Sequence, residues 1–378
     1  MSKINVCCVG IGTIGGGVIE MLYKNNYKGV KLYAICDRDN NKLNEYDYDV
    51  IKYNDFNEAL NDNNINMIVE TMGGDHPAFD LIKKALEMGK HVVTANKEVV
   101  AKHYQELSEI LKKTKAKFLF EASVGGVVPI VNGIYNYQRA NNIERIEGII
   151  NGSTNYLLTL MQDDGVSYLD AIEDAKKRGF LESDPSSDLK GLDMKRKISI
   201  LSDIAYRTNI DIDEVYNYSL EGISDAFIEE LALNDYVLKY MAESTKNKKT
   251  LQIRIEPVAI KKSSMLSKIV YERNYIAFFG DRQEKVEMLG LGAGRFPTST
   301  AIVSDIMQIA SRAPKLNLIT KNKLKIDNSK LLDSYIIDGD IDSNLVDYKM
   351  GKLIVTKKIY WNELQKNLNK IKFYARIK

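Results

Sequence analysis

The segment Gly10-Ile11-Gly12-Thr13-Ile14-Gly15 constrains this chain more than any other. It carries the G-x-G-x-x-G spacing between a β-rich run, Ile4 to Val9, and a stretch from Gly15 to Tyr23 with helical apolar spacing. In such a turn the first glycine bends the chain tightly and the second lets backbone approach a pyrophosphate. The third lets the helix pack closely on the strand, so that its N-terminal N–H groups face the phosphates. Gly10, Gly12, Thr13, Ile14 and Gly15 are therefore candidate dinucleotide-binding residues. Asp37 follows the second β-rich run, Val30 to Cys36, at the position where an acidic group takes the ribose 2′-hydroxyl of NAD. Arg38 beside it suits the 2′-phosphate of NADP. These residues lean slightly to NAD without closing the choice between NAD and NADP.

Alternation continues downstream. Met67 to Glu70 reads as a strand, Asp80 to Met88 as a helix, His91 to Thr94 as a strand and Val99 to Lys112 as a helix, with Phe118 to Glu121 closing the series. Such a pattern implies right-handed crossovers and a parallel sheet covered on both faces. The expected fold class is α/β: a Rossmann-type nucleotide domain over 1–130, completed by about 290–314, plus an α+β domain over 131–289. In the second domain Thr154 to Gln162 and Tyr168 to Arg178 read as helices. Leu251 to Ile260, Lys268 to Tyr271, Ile276 to Phe279 and Val286 to Leu289 read as strands. Gly290 to Gly294 forms a Gly-rich turn before a helical segment, Thr298 to Ala310. Residues 315–378 are rich in Lys and Asn and form a C-terminal extension without assignable chemistry.

Charge and cysteine usage narrow the function classes. With 53 basic and 51 acidic residues the net charge is +2, which gives no electrostatic reason for nucleic acid or a membrane surface as partner. Cys7, Cys8 and Cys36 fall in the first two apolar runs, without a Cys-x-x-Cys pair, which fits a reducing compartment and no structural zinc. No apolar run approaches the ~20 residues needed to span a bilayer. A cytoplasmic, soluble protein is expected.

The most informative charges sit in a helix read from about Leu189 to Ala205. At roughly 100° per residue, Met194, Ile198, Ile200, Leu201, Ile204 and Ala205 fill one half of its wheel. Lys195, Arg196, Ser199, Ser202 and Asp203 fill the other. Asp193 and Lys197 fall in the apolar half, one turn apart. They either line a polar cavity or form an i,i+4 ion pair at the stripe's margin. Upstream, Glu182, Asp184 and Asp188 crowd an acidic loop that suits an ammonium-bearing substrate or the capping of the next helix. A hydride transfer to a carbonyl needs a proton donor for the forming alkoxide. His76, His91 and His103 all lie outside the second domain and read as structural or surface groups. Lys197, and Lys97 after the strand at Val92-Val93-Thr94, are the candidates.

Six blocks, GIGTIGGGV, VVTANKE, EASVGGVVPI, GIINGSTNYLLT, ESDPSSDLKGLDMKRKISIL and LGAGRFPTSTAIVSD, resemble homoserine dehydrogenases in order and separation, over about residues 4–312. The resemblance implies NAD(P)-dependent interconversion of L-homoserine and L-aspartate 4-semialdehyde in threonine and methionine biosynthesis. Lys197 would be the proton donor and acceptor, with Lys97 beside the nicotinamide and the substrate oxygen. Glu182, Asp188 and Asp193 would bind the amino acid, Glu182 facing its ammonium group. Met72, Gly179 and Gly292 would approach the cofactor with the first loop. A sodium ion would sit near Glu121, Val124, Gly126 and Val128, where a carboxylate and backbone carbonyls suit a hard cation. The middle domain would also form a homodimer interface.

Departures from the family pattern are few. Val127 stands where members often carry Gly, and Ser153 where they carry Thr. The C-terminal extension is shorter than a regulatory ACT domain and has no Gly-rich ligand loop, so it reads as a reduced remnant used in packing, and threonine feedback is not expected. Aspartate semialdehyde dehydrogenase is a poor rival, because it needs a nucleophilic cysteine and all three here lie in expected strands. A catalytically dead nucleotide sensor would be expected to have lost Lys197 or Asp193.

Overall fold

A computed structural model describes residues 3–282, 284–313 and 318–378. It resolves into two compact units, each built from three separate stretches of chain. The first comprises 1–141, 200–209 and 290–322, and the second 142–199, 210–289 and 323–378.

Unit 1 holds a six-stranded sheet: β1 (Ile4–Val9), β2 (Val30–Cys36), β3 (Ile51–Tyr53), β4 (Met67–Glu70), β5 (His91–Thr94) and β6 (Phe118–Leu119). Their order is β3-β2-β1-β4-β5-β6 and every neighbouring pair is parallel. This is the doubly wound order, whose crevice opens at the carboxyl ends of β1 and β4, where the strand order reverses. Near-continuous burial of β1 and β4 fits a sheet covered on both faces. The helix Thr13–Lys24 packs against the helix Arg295–Ala310, because small residues permit close approach. A Cβ on Gly17 would lie 2.4 Å from Ser299 Oγ, which itself donates to Ile14 O.

Unit 2 is organised on a mixed sheet whose main path runs Lys285–Leu291, Arg273–Gly280, Ile143–Ile149, Tyr236–Asn247, Thr250–Lys261, Ile371–Ile377, Tyr335–Gly339, Leu353–Thr356 and Val346–Met350. The long hairpin from Tyr236 to Lys261 keeps one register throughout. Sequence reading missed its first strand because polar and apolar residues do not alternate there: Lys239, Glu243 and Ser244 are all largely buried. Partners make this tolerable. Glu243 is raised by burial, but Arg376, Arg254, Arg145 and Lys378 outweigh that and hold it down at about 2. Lys239 Nζ donates to Ile269 O at 2.5 Å, and burial pushes its pKa down to about 8.

Three expectations need correction. Lys268 to Tyr271 is not a strand: Met265–Lys268 is a 3-10 turn capped by Ser264, and Tyr271 adopts φ 57. The carbonyls of Ile269 and Tyr271 accept from Asn155 Nδ2 instead of a neighbouring strand. The expected boundaries also shift. Residues 131–141 stay with unit 1 because Glu121 holds the start of the helix Ile130–Tyr137, and 200–209 stay there with Arg207 O accepting from the backbone of Lys321 and Asn322. Finally, most of the extension read over 315–378 is not an appendage, since Ile371–Ile377 pairs with both Thr250–Lys261 and Tyr335–Gly339 inside the unit 2 sheet. Residues 315–317 of that stretch lie outside those described.

Candidate functional site

The Gly-rich loop of unit 1 behaves as its spacing requires. Gly10 has φ 85, and a Cβ there would meet Met72 N at 2.7 Å; one on Gly15 would lie 2.0 Å from Gly10 O. Over Gly12 the space is open, with nothing within 4 Å. The loop borders a cavity of about 570 Å³ lined by Gly10, Gly12, Asp37, Arg38, Lys42 and Met72, among others. That volume lies in the range of cofactor clefts. Thr13 and Ile14 open the helix above it.

Asp37 is more constrained than its position suggested. Its Oδ2 accepts from Ile11 N and its Oδ1 from Asp39 N, so the carboxylate already braces the loop. Arg38 and Lys42 are exposed and have no ion-pair partner among the described residues.

Two further polar residues, which the sequence reading passed over, shape the same end of the sheet. Glu70 is fully buried at the end of β4; its Oε1 accepts from Met72 N and Gly73 N, and its Oε2 from Thr94 Oγ1. Asn96 caps the helix Lys97–Lys113 through Val99 N, and its Nδ2 donates to Gly74 O. Lys97 is thereby set, half-buried, at the first helical position. Their signal was visible in retrospect: a Glu inside an apolar strand and an Asn directly before a helix.

In unit 2 a polar cluster gathers around Asn151. This residue follows the strand Ile143–Ile149 and caps the helix Gly152–Asp163, its Oδ1 accepting from Thr154 N at 2.8 Å. Its Nδ2 donates to Asp188 Oδ1 at 2.6 Å and Asp193 Oδ2 at 2.9 Å. Gly152 is required there, since a Cβ would meet Glu272 O at 2.7 Å. Asp193 lies in the first turn of the helix Leu192–Tyr206 and pairs with Lys197 at 2.8 Å. Lys197 Nζ also donates to Ile150 O at 2.9 Å. The i,i+4 ion pair of the second reading is therefore formed, and it is largely buried, the side chains being 6% and 11% exposed. The wheel of that helix needs correction too: Ser199, Ser202 and Asp203 are buried as well, so of its expected polar half only Lys195 and Arg196 keep partial exposure. Ser199 Oγ turns back onto Lys195 O, which satisfies a buried hydroxyl within the helix.

Glu182 and Gly179 lie on the exposed loop after the helix Tyr168–Lys177, which Ser153 Oγ ties down by donating to Phe180 O. Glu182 has no hydrogen-bond partner among the described residues. Asp184 Oδ1 accepts from Ser186 N just before the short helix Ser186–Leu189, whose N-cap is Pro185.

At the turn near Glu121 the carboxylate is already engaged by N–H groups. Both oxygens of the Glu121 carboxylate accept from the helix Ile130–Tyr137, through Val131 N, Asn132 N and Asn132 Nδ2. Burial nonetheless pushes Glu121 up to about 7. Asp305 lies beside it, its Oδ2 accepting from Glu121 N, while its buried Oδ1 has no hydrogen-bond partner among the described residues. Gly126 approaches Gly292 so closely that a Cβ would meet Leu291 O at 2.5 Å. Val124 and Val128 are buried beside it.

Comparison with known proteins agrees with this layout. Residues 10–121 match the family model for the homoserine dehydrogenase NAD binding domain, and residues 129–307 match that for homoserine dehydrogenase. The homoserine dehydrogenase of Helicobacter pylori is 33% identical over 323 residues, covering 84% of this chain and 76% of that protein. The fold matches a Thiobacillus denitrificans homoserine dehydrogenase with a TM-score of 0.91 over 100% of this chain and 99% of that one, at 23% identity. A hyperthermophilic archaeal homoserine dehydrogenase solved in complex with NADPH aligns at TM-score 0.71 and 27% identity, over 83% of this chain and 99% of that one.

Asn151 is the joint of the unit 2 cluster, so its loss should be felt in stability. Asn151→Ala removes an N-cap, at about 1 kcal/mol, and a donor to two carboxylates, at about 1–3 kcal/mol more. Urea unfolding should show a clearly lowered midpoint. An unchanged midpoint would remove Asn151 from this role.

Proposed function

The chain belongs to the homoserine dehydrogenase family of NAD(P)-dependent oxidoreductases, and we propose that Lys197 moves the proton at the substrate hydroxyl. The reaction interconverts L-homoserine and L-aspartate 4-semialdehyde. One observation carries the proposal. An ammonium has three donors, and two of those on Lys197 are taken by Asp193 Oδ2 and Ile150 O. The third has no partner among the described residues and is left for a substrate oxygen. Paired in this way, the ammonium donates to the alkoxide that forms when the aldehyde is reduced. In the oxidative direction the same nitrogen takes the hydroxyl proton back. Bound NAD(P) supplies the hydride acceptor or donor.

Glu182, exposed and unpaired, suits the substrate ammonium, while Asp188 and Asp193, aligned by Asn151, order the rest of the amino-acid site. Lys97 serves the nicotinamide end, with the Gly10–Gly15 loop and Met72 lining the cofactor cavity; Gly179 and Gly292 keep the cofactor roles that the family resemblance implies. For the cofactor itself, the braced Asp37 and the unpaired Arg38 and Lys42 on the cavity wall favour NADP, whose 2′-phosphate needs cations. The NADPH complex of the archaeal relative supports the same reading. A homodimer built on unit 2 is consistent with Leu289 standing 53% exposed in the edge strand Lys285–Leu291. Light scattering would test it: a monomer at micromolar concentration would refute it. Cytoplasmic residence and a role in amino-acid biosynthesis complete the proposal; no helix among the described residues is long and apolar enough to cross a membrane.

A sodium ion fits the turn at Glu121. Because the Glu121 carboxylate is committed to N–H groups, the backbone carbonyls of Glu121, Val124, Gly126 and Val128 would hold the ion, with the partnerless Asp305 oxygen as a neighbouring oxygen donor.

Steady-state rates with L-homoserine test the catalytic assignment. Lys197→Ala should lower kcat roughly 10²–10⁴-fold while NADPH binding persists; near-normal turnover would refute it. Glu182→Gln should raise the KM for homoserine with little change in kcat. Arg38→Ala should raise the KM for NADP roughly tenfold or more and leave that for NAD nearly unchanged, since one charged hydrogen-bonded contact is worth about 1.5–3 kcal/mol. Equal effects on both cofactors would remove Arg38 from the 2′-phosphate. For the cation, melting in sodium chloride against choline chloride at equal ionic strength should show a higher Tm with sodium, and identical curves would exclude the ion.

A further inference from the structure

Three side chains of unit 1 that the dehydrogenation does not use converge at one edge of the cofactor cavity. Asp75 and His76 follow β4, and His103 lies within the helix Lys97–Lys113. Each offers one donor atom, and the three lie within 4.8 Å of one another. Among the described residues no other trio of His, Cys, Asp or Glu does this. We propose that Asp75, His76 and His103 bind a divalent ion of the zinc class, with water completing its shell, and that the bound ion is coupled to cofactor affinity.

Donor chemistry points to that class. Two imidazoles and a carboxylate suit Zn²⁺, Co²⁺ or Ni²⁺, whereas Mg²⁺ and Ca²⁺ prefer all-oxygen shells. The ligands are also held by their surroundings. His103 Nε2 already lies 2.7 Å from Asp75 Oδ1, and its ring stacks on the buried Phe79, centroids 3.6 Å apart at 9°. His76 Nδ1 is 2.8 Å from Asp80 Oδ2, the carboxylate–imidazole contact that fixes ring orientation at many metal sites. Zinc bonds of about 2.0–2.2 Å require a shorter donor spacing than 4.8 Å. Closing the gap requires His76, whose side chain is 58% exposed, to turn inward from Asp80 Oδ2. Lys102 is the cation facing the cluster, 3.0 Å from Asp75 Oδ2. It also pairs with Glu98 at 3.1 Å, so an incoming ion displaces it onto a partner already in place.

The coupling follows from position. His76 and Pro77 line the same cavity as Gly10, Gly12 and Met72. An ion that draws His76 toward His103 resets that wall, and any change in nucleotide affinity must be matched by an equal change in ion affinity.

The experiment uses chelator-treated, tag-free protein. Equilibrium dialysis against Zn²⁺ should give one ion per chain, and Co²⁺ should show visible absorption from imidazole ligation. His103→Gln and Asp75→Asn should each weaken Zn²⁺ binding roughly tenfold or more. His91→Gln, outside the cluster, should bind as the parent does. Circular dichroism confirms that each variant is folded. NADPH titrations with and without saturating Zn²⁺ should differ at least threefold in Kd, and the difference should vanish in His103→Gln. Absence of stoichiometric binding, or equal loss in His91→Gln, overturns the site; an unchanged NADPH affinity at full Zn²⁺ occupancy overturns the coupling.

Discussion

Much of unit 2 is arranged around one costly object, the buried ion pair between Asp193 and Lys197. Taking two charges out of water costs several kcal/mol per ion, and attraction between them offsets this only when the remaining hydrogen-bonding capacity is met. The surroundings meet it: Ile150 O and Asn151 Nδ2 each take one valence of the pair. Asn151 serves because it also caps a helix, which fixes its side chain before any substrate arrives. Gly191 gives the chain its entry into the helix Leu192–Tyr206 at φ 76, where a Cβ would strike Tyr240 Oη at 2.2 Å. The desolvated ion pair thus dictates the residue type at Asn151, 42 positions from Asp193 in sequence.

Unit 1 meets a comparable demand differently. Its sheet ends in loops that must hold open an anion-binding crevice, and a loop cannot satisfy its own backbone. Glu70 and Asp37, two carboxylates at strand ends, accept the N–H groups of those loops. Burial raises the pKa of Glu70, opposed by Thr94 Oγ1 and the Met72 and Gly73 N–H groups. Acidic groups here shape backbone first, which is why Asp37 is a weaker guide to cofactor choice than its place after the strand suggested.

Legibility in the sequence followed the physics of each signal. The nucleotide domain was readable because β1, its turn and the following helix carry local requirements: apolar runs, small residues and a period of 3.6. Asp193 and Lys197 were readable as charges on an apolar arc. Ser199, Ser202 and Asp203 were misjudged, since a wheel assumes that one face meets water and this helix is covered on both. The strand Tyr236–Asn247 and the extension after 322 were opaque for a related reason. Their polar residues are bought into the interior by partners far along the chain, as Arg376 is by Glu243 and Glu256. Asn151 stood in view as part of a polar turn, yet nothing local marked its two distant acceptors.

The interleaving of the units has a consequence for how the protein reaches its folded state. Each unit needs three stretches of chain, and the strand Ile371–Ile377 sits inside its sheet beside Thr250–Lys261. Contacts of such sequence separation must wait for long loops to close, and topologies rich in them fold slowly. During synthesis the Val258–Ala259 stretch of the hairpin therefore waits for its neighbour until more than a hundred further residues have emerged, while Tyr216–Asn217 pairs with Arg254–Ile255 from the N-terminal side. The charges along that hairpin, Glu243 and Arg254 among them, face water during this interval and resist strand-to-strand association between nascent chains. The same residues later become the anchors for the arriving strand, so one set of side chains guards the edge and then receives its partner.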